Sequence, residues 1–170
     1  LEKIIQVPLH LPPVDENNLR HLALEGVDSA VTHAGITLTQ PQVDAFVRRF
    51  DDALLPHIET PRRAKLLSNA LLFALPILRG EVNPSELMLI EGVRVIYPEL
   101  YAALRDNPVL FLQSERETWR NQRQDAVSRI DTLILQATPI CADDERAVVR
   151  SRLLEPLGPR IGNMMYGGEW

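Results

Sequence analysis

The chain has 170 residues, 45% of them hydrophobic, which is enough for one compact domain or for two small helical subdomains sharing a seam. A formal net charge of -5 sets the surface as a whole against nucleic acid and anionic lipid. The single cysteine, Cys141, excludes an internal disulfide framework and a multi-cysteine zinc site, and fits a reducing compartment. No window approaches the roughly 18–20 uninterrupted apolar residues of a membrane span.

In chain order, Lys3 to Leu11 is short, rich in β-branched and aliphatic residues and closed by Pro12 and Pro13, so it predicts one strand. Asp15 can cap a helix with Leu19, Leu22, Ala23, Val27, Ala30 and Val31 at helical spacing, ended by Gly35. Thr39 and Gln42 have capping-box spacing, and Val43, Phe46, Val47, Phe50 and Leu54 form one buried stripe that stops at Pro56. Thr60 before Pro61 starts a third helix that runs toward Gly80, with Pro76 expected to kink or shorten it. Asn83, Pro84 and Glu86 start a fourth, which carries Leu87, Ile90, Val93 and Tyr97 to Pro98.

Pro98 opens a short helix with Leu100, Tyr101 and Leu104 inward, and Asn107 and Pro108 open another short piece through Leu112. A polar helix is predicted over about 115–136, then a break at Pro139, a helix capped by Asp143, and an irregular tail from Pro156. The fold class predicted is mainly α: a multi-helical bundle of short capped helices with one short N-terminal strand. A boundary is expected near Gln113, where the apolar pattern gives way to the polar run Ser114 to Asp125. The start at Leu1 and the end at Trp170 behind Gly167 and Gly168 are those expected of a piece cut from a longer chain.

Self-contained ATPase chemistry needs a glycine-rich loop ending in lysine and a hydroxyl residue, and the sequence has none. His10, His21, His33 and His57 have no partner at metal-ligand spacing and read as surface or turn residues. Cys141 lacks the context of a nucleophile, and there is no Gly-x-Ser-x-Gly elbow. No catalytic residue and no metal ligand is assigned.

Two stretches carry a resemblance to a known family: Leu1 to Pro13 (LEKIIQVPLHLPP) and Thr60 to Leu112, with Thr60-Pro61-Arg62-Arg63, Gly80-Glu81-Val82-Asn83 and Tyr97-Pro98-Glu99-Leu100-Tyr101. Together they resemble the C-terminal half of the KAP family of P-loop ATPases, and the tail Gly162 to Trp170 is similar to a segment that continues further in that family. The resemblance implies that residues 1–14 are the last strand of the P-loop core, 15–113 a helical lid subdomain and 114–170 a C-terminal helical extension. The phosphate-binding loop and the magnesium-binding acidic strand would lie upstream, so ATP and Mg2+ belong to the parent protein and no cofactor is expected for this piece. The parent is expected to be a bacterial cytoplasmic protein, membrane-associated on the cytoplasmic side through inserted helices elsewhere.

Arg62 matches the lid arginine expected to reach the nucleotide's terminal phosphates; Arg63 is the second candidate and Lys65 matches a family lysine, followed here by Leu66. Guanidinium binds phosphate oxygens bidentately, and a helix start supplies amide donors and a favourable dipole. Pairing of both arginines with Glu59 or another surface acid is the structural alternative. The Tyr97–Tyr101 motif has a sharp helix-to-helix corner as its simplest role, and Asn69 is expected to hydrogen-bond a neighbouring turn.

The function expected is therefore nucleotide sensing by a lid, with the upstream core of the same chain as partner. The competing reading is a helical interaction module for other proteins or a second copy, using Arg116, Trp119, Arg120 and Arg123, whose solvated face is otherwise balanced by Glu115, Glu117 and Asp125. A helix-turn-helix over Thr60 to Tyr97 would draw phosphate contacts from Arg62, Arg63, Lys65 and Arg79, but the net charge argues against nucleic acid.

Overall fold

The computed structural model describes residues 15–108, 120–138 and 142–154, with the backbone alone for 120–127. Seven α-helices lie within them: α1 Glu16–His33, α2 Gln40–Ala53, α3 Pro61–Ile77, α4 Pro84–Ile96, α5 Pro98–Asp106, α6 Arg120–Ala137 and α7 Asp143–Val149. A 3-10 turn, Leu55–His57, follows α2, and α7 passes into a π turn at Arg150–Leu154. The chain is mainly α, as its periodicity requires, and no strand occurs among the described residues. The expected strand at Lys3 to Leu11, the piece through Leu112, Cys141 and the tail from Pro156 lie outside the described residues.

The punctuation of the sequence sets most helix ends. Gly35, at φ 62°, closes α1 with a Schellman pair: its N–H donates to Thr32 and that of Ile36 to Val31. Asp15 stands at the start of α1 without a side-chain cap bond. At α2 Thr39 and Gln42 form the capping box, the Gln42 side-chain oxygen accepting from the Thr39 N–H at 2.8 Å and from the Thr39 hydroxyl at 3.0 Å. Asn83 caps α4 by accepting from Ser85 N–H at 2.9 Å.

Pro76 shortens α3 as expected: the helix stops at Ile77, short of Gly80, because proline supplies no amide to the ladder and a turn takes over. One boundary differs from expectation. Helix α7 is preceded by Ala142 rather than capped by Asp143, since the Asp143 carboxylate is taken by Arg146 of the same first turn at 2.5 Å.

Helices α1 to α4 run up, down, up and down. The broadest contact is between the parallel pair α1 and α3, which bury Ala23, Val27 and Ala30 on one helix and Ala64, Leu67, Ser68 and Leu71 on the other, with Gly26 against Ser68. Small side chains let the two axes close in, so dispersion contacts accumulate along the whole seam. Phe50, Leu54, Ile58, Leu75, Met88, Leu89 and Leu100 fill the centre with almost no exposure.

Ile130 and Ile134 of α6, Val149 of α7 and Leu153 and Leu154 of the π turn belong to the same buried cluster. The stretches before and after the polar run at 114–125 therefore share one core. Surface pairs tie the layers further: Arg20 is bidentate to Asp51 at 2.7 and 2.9 Å, and Arg152 meets Asp52 at 2.8 Å. Donation of these hydrogen bonds to the Asp51 carboxylate is the main cause that raises the Arg20 guanidinium pKa. Burial, then the neighbouring Arg48 and Arg152, lower that of Arg49.

Candidate functional site

The candidates Arg62, Arg63 and Lys65 stand at the start of α3, at one pole of the bundle. Gly26 is ten residues after Glu16 and Ser68 seven after Pro61. At about 1.5 Å per residue, the starts of the parallel helices α1 and α3 are level to within about one turn. Helices α2 and α4 finish at the same pole: Arg20 of α1 pairs with Asp51 near the end of α2, and Tyr97 after α4 donates its hydroxyl to the Ala53 carbonyl at 3.0 Å. Residue 15, at the start of α1, is thus close to the start of α3.

The α3 start is built from Thr60 in extended conformation, whose hydroxyl oxygen accepts from Arg63 N–H at 3.3 Å. Pro61 has no N–H, and Ala64 N–H donates to the Thr60 carbonyl at 3.3 Å. Arg62 N–H is the donor of this turn left without an intrahelical partner. The first turn holds no acid, so cations stand here against the helix dipole.

Arg62, Arg63 and Lys65 are all exposed, but they are not equivalent. Arg63 folds back, Nη1 donating to the His57 carbonyl at 2.7 Å, and so caps the 3-10 turn. Arg62 and Lys65 make no hydrogen bond or ion pair to another described residue, and Glu59 pairs with neither arginine. Asn69, expected to bond a turn, is exposed on α3 and bonds no described residue.

Beside Arg63 is a cleft of about 360 Å³, lined on one side by His57, Glu59 and Tyr97 and on the other by Thr138 and Glu145. His57 Nε2 lies 2.7 Å from Glu145 Oε1, and the imidazole stands edge-on to the Tyr97 ring with centroids 5.0 Å apart. The contact has ion-pair distance without hydrogen-bond alignment, which leaves Glu145 Oε1 buried with no donor. Arg146 Nε donates to the Thr138 carbonyl at 3.2 Å and so holds the far wall. With carboxylates on Glu59, Glu99 and Glu145, the cleft is more acidic than the α3 start beside it.

Comparison of the chain with protein-family models, with curated proteins and with solved structures gives no match. The arrangement therefore has to be read from its own chemistry. The α3 start offers an unpaired guanidinium, an unpaired ammonium and a free amide, a donor set that suits phosphate oxygens. No group of three or more His, Cys, Asp or Glu residues able to hold a metal occurs among the described residues.

Among the residues expected to bind a partner, Arg116 and Trp119 lie outside the described residues, while Arg120 and Arg123 sit in the first turn of α6, described by its backbone alone. Nothing in the local pattern of the chain marks the His57–Glu145 pair. Its members are far apart in the chain, and the packing of α7 against α2 brings them together. The one local signal is a glutamate in the first turn of α7, which the helix dipole favours with or without a partner.

Proposed function

We propose that this chain is the helical lid and C-terminal region of a P-loop ATPase of the KAP kind, in which ATP and Mg2+ are held by an upstream core and Arg62 senses the nucleotide. Lys65, three positions further along α3, assists, and Arg63 braces the turn through the His57 carbonyl. The parent is a bacterial cytoplasmic ATPase, tethered to the membrane by helices elsewhere. In this reading ATP draws Arg62 toward its terminal phosphates, the lid closes, and hydrolysis releases it. Magnesium belongs to the upstream core; the α3 start suits the phosphates and not the metal.

The observation that carries the reading is the placement of uncompensated charge. Arg62 and Lys65 stand unpaired at a helix start with no acid in its first turn, at the pole where the described chain begins. Cations left there oppose the dipole by about 0.3–1 kcal/mol each unless an anion joins them. A core preceding residue 15 is attached where such an anion could be delivered.

The test is ATP hydrolysis by the longer protein that includes the upstream residues, comparing Arg62 with Arg62→Ala at equal thermal stability. A fall of about tenfold or more, equal to about 1.4 kcal/mol of transition-state stabilisation, is expected. Unchanged hydrolysis returns Arg62 to a surface role. A second reading, a helical interaction module without a nucleotide role, is favoured by one specific observation, an apolar line left open on α3.

A further inference from the structure

The pole opposite the α3 start holds a second, smaller cavity, of about 130 Å³. Local chain geometry builds it. Helix α3 ends at Ile77, and Gly80, at φ 82°, turns the chain so that Val82 borders the same hollow as Ile36 before Asn83 and Pro84 start α4. Leu75 and Leu87, both buried, form the floor, with Ile36, Leu78 and Val82 around it. Among the described residues no acid lines the cavity, and the charged group on its rim is Arg79.

Arg79 is exposed and makes no hydrogen bond or ion pair to another described residue. Its guanidinium rests over the bare Cα of Gly35: a Cβ added there would lie 2.9 Å from Nη1 and 3.4 Å from Cζ. Gly35 is the left-handed residue that closes α1, so the negative end of that helix dipole faces the cation and helps hold it at the mouth. The donor fork of the guanidinium stays free. Glu81, the nearest acid along the chain, neither lines the cavity nor pairs with Arg79. A planar donor fork above an apolar hollow is complementary to a carboxylate that carries an aliphatic tail.

We propose that this cavity binds a short branched aliphatic carboxylate, with the tail among Leu75, Leu87 and Ile36 and the carboxylate on Arg79. Volume sets the size. An apolar protein cavity of about 150 Å³ accepts benzene, so one of about 130 Å³ suits a branched tail of about four carbons, that of 3-methylbutanoate. Burial of the tail supplies the attraction, and the guanidinium supplies the preference for an ionised acid. The site shares no residue with the α3 start at the other end of the helix, so this proposal and the nucleotide reading fail separately.

The experiment is an amide NMR titration of the 170-residue chain at neutral pH with 3-methylbutanoate, chloride balancing the ionic strength, beside the uncharged 3-methylbutanamide and acetate. Saturable shifts of the Gly35, Ile36, Gly80 and Val82 amides are expected, the acid binding roughly five- to tenfold more tightly than the amide. Acetate, a head without the tail, is expected not to saturate over the same range. Arg79→Gln is expected to abolish the preference for the acid and to leave the melting temperature unchanged, because the side chain it removes is exposed and unpaired.

Shifts that never saturate, or that acetate reproduces, overturn the proposal. Equal affinity for acid and amide, or a preference that survives Arg79→Gln, overturns the carboxylate assignment. A free acid and the carboxylate end of a peptide share this chemistry, and N-acetylvaline separates them: tighter binding of N-acetylvaline than of 3-methylbutanoate overturns the free acid as the ligand in favour of a peptide end.

Discussion

Gly26 illustrates how a single position can oppose its local preference. Within a helix, glycine costs about 1 kcal/mol relative to alanine. A Cβ at this position would lie 1.8 Å from Ser68 Oγ and 2.7 Å from Ser68 Cβ, and the Ser68 hydroxyl is fixed by donation to the Ala64 carbonyl at 3.0 Å. Overpacking therefore outweighs propensity. Gly26→Ala is expected to destabilise the fold by about 1–3 kcal/mol in urea denaturation. Adding Ser68→Gly should recover much of that loss; failure to recover would mean that another contact demands the glycine. At this scale the sequence marked Arg62, Arg63 and Lys65 as one cationic group, whereas the folded chain divides them, since the carbonyl that Arg63 caps comes from a turn placed by tertiary packing.

Elements were the most legible scale, because caps and prolines act through neighbours along the chain. Thr60 is the clearest case: its hydroxyl accepts from Arg63 N–H, as a threonine before a proline-led helix should. Thr60→Ala is expected to cost about 1 kcal/mol and to lower the melting temperature by about 2–4 °C for a chain of this size. An unchanged melting temperature would mean that water or Arg63 alone serves the end of α3. At the Tyr97–Pro98 corner Pro98 opens α5 in the same local way, whereas the Tyr97 hydroxyl anchors the turn by a long-range bond to the Ala53 carbonyl. Less legible was α3, whose two apolar sides blur the contrast that identifies a buried face; burial alone separates the seam against α1 from the open line of Leu66, Phe73 and Ile77.

For the molecule as a whole, the decisive feature is that Ile130, Ile134, Val149, Leu153 and Leu154 enter the same core as Phe50, Leu54 and Met88. Leu154→Ala, at a fully buried site, is expected to cost about 2–5 kcal/mol. Far-ultraviolet and tyrosine near-ultraviolet signals should then move to lower denaturant together, as one transition. Two transitions, one of them unshifted, would show that the stretches before and after the polar run fold separately. The sequence by itself determined the helical class, the order of the helices and most of their ends, because capping, proline geometry and apolar spacing act within a few residues. Only the tertiary structure decided that α1 and α3 run parallel with their starts at one pole, that His57 meets Glu145, and that one apolar line of α3 remains open. Those outcomes depend on contacts between residues distant in the chain, where the energy lies in packing and no local pattern records the partner.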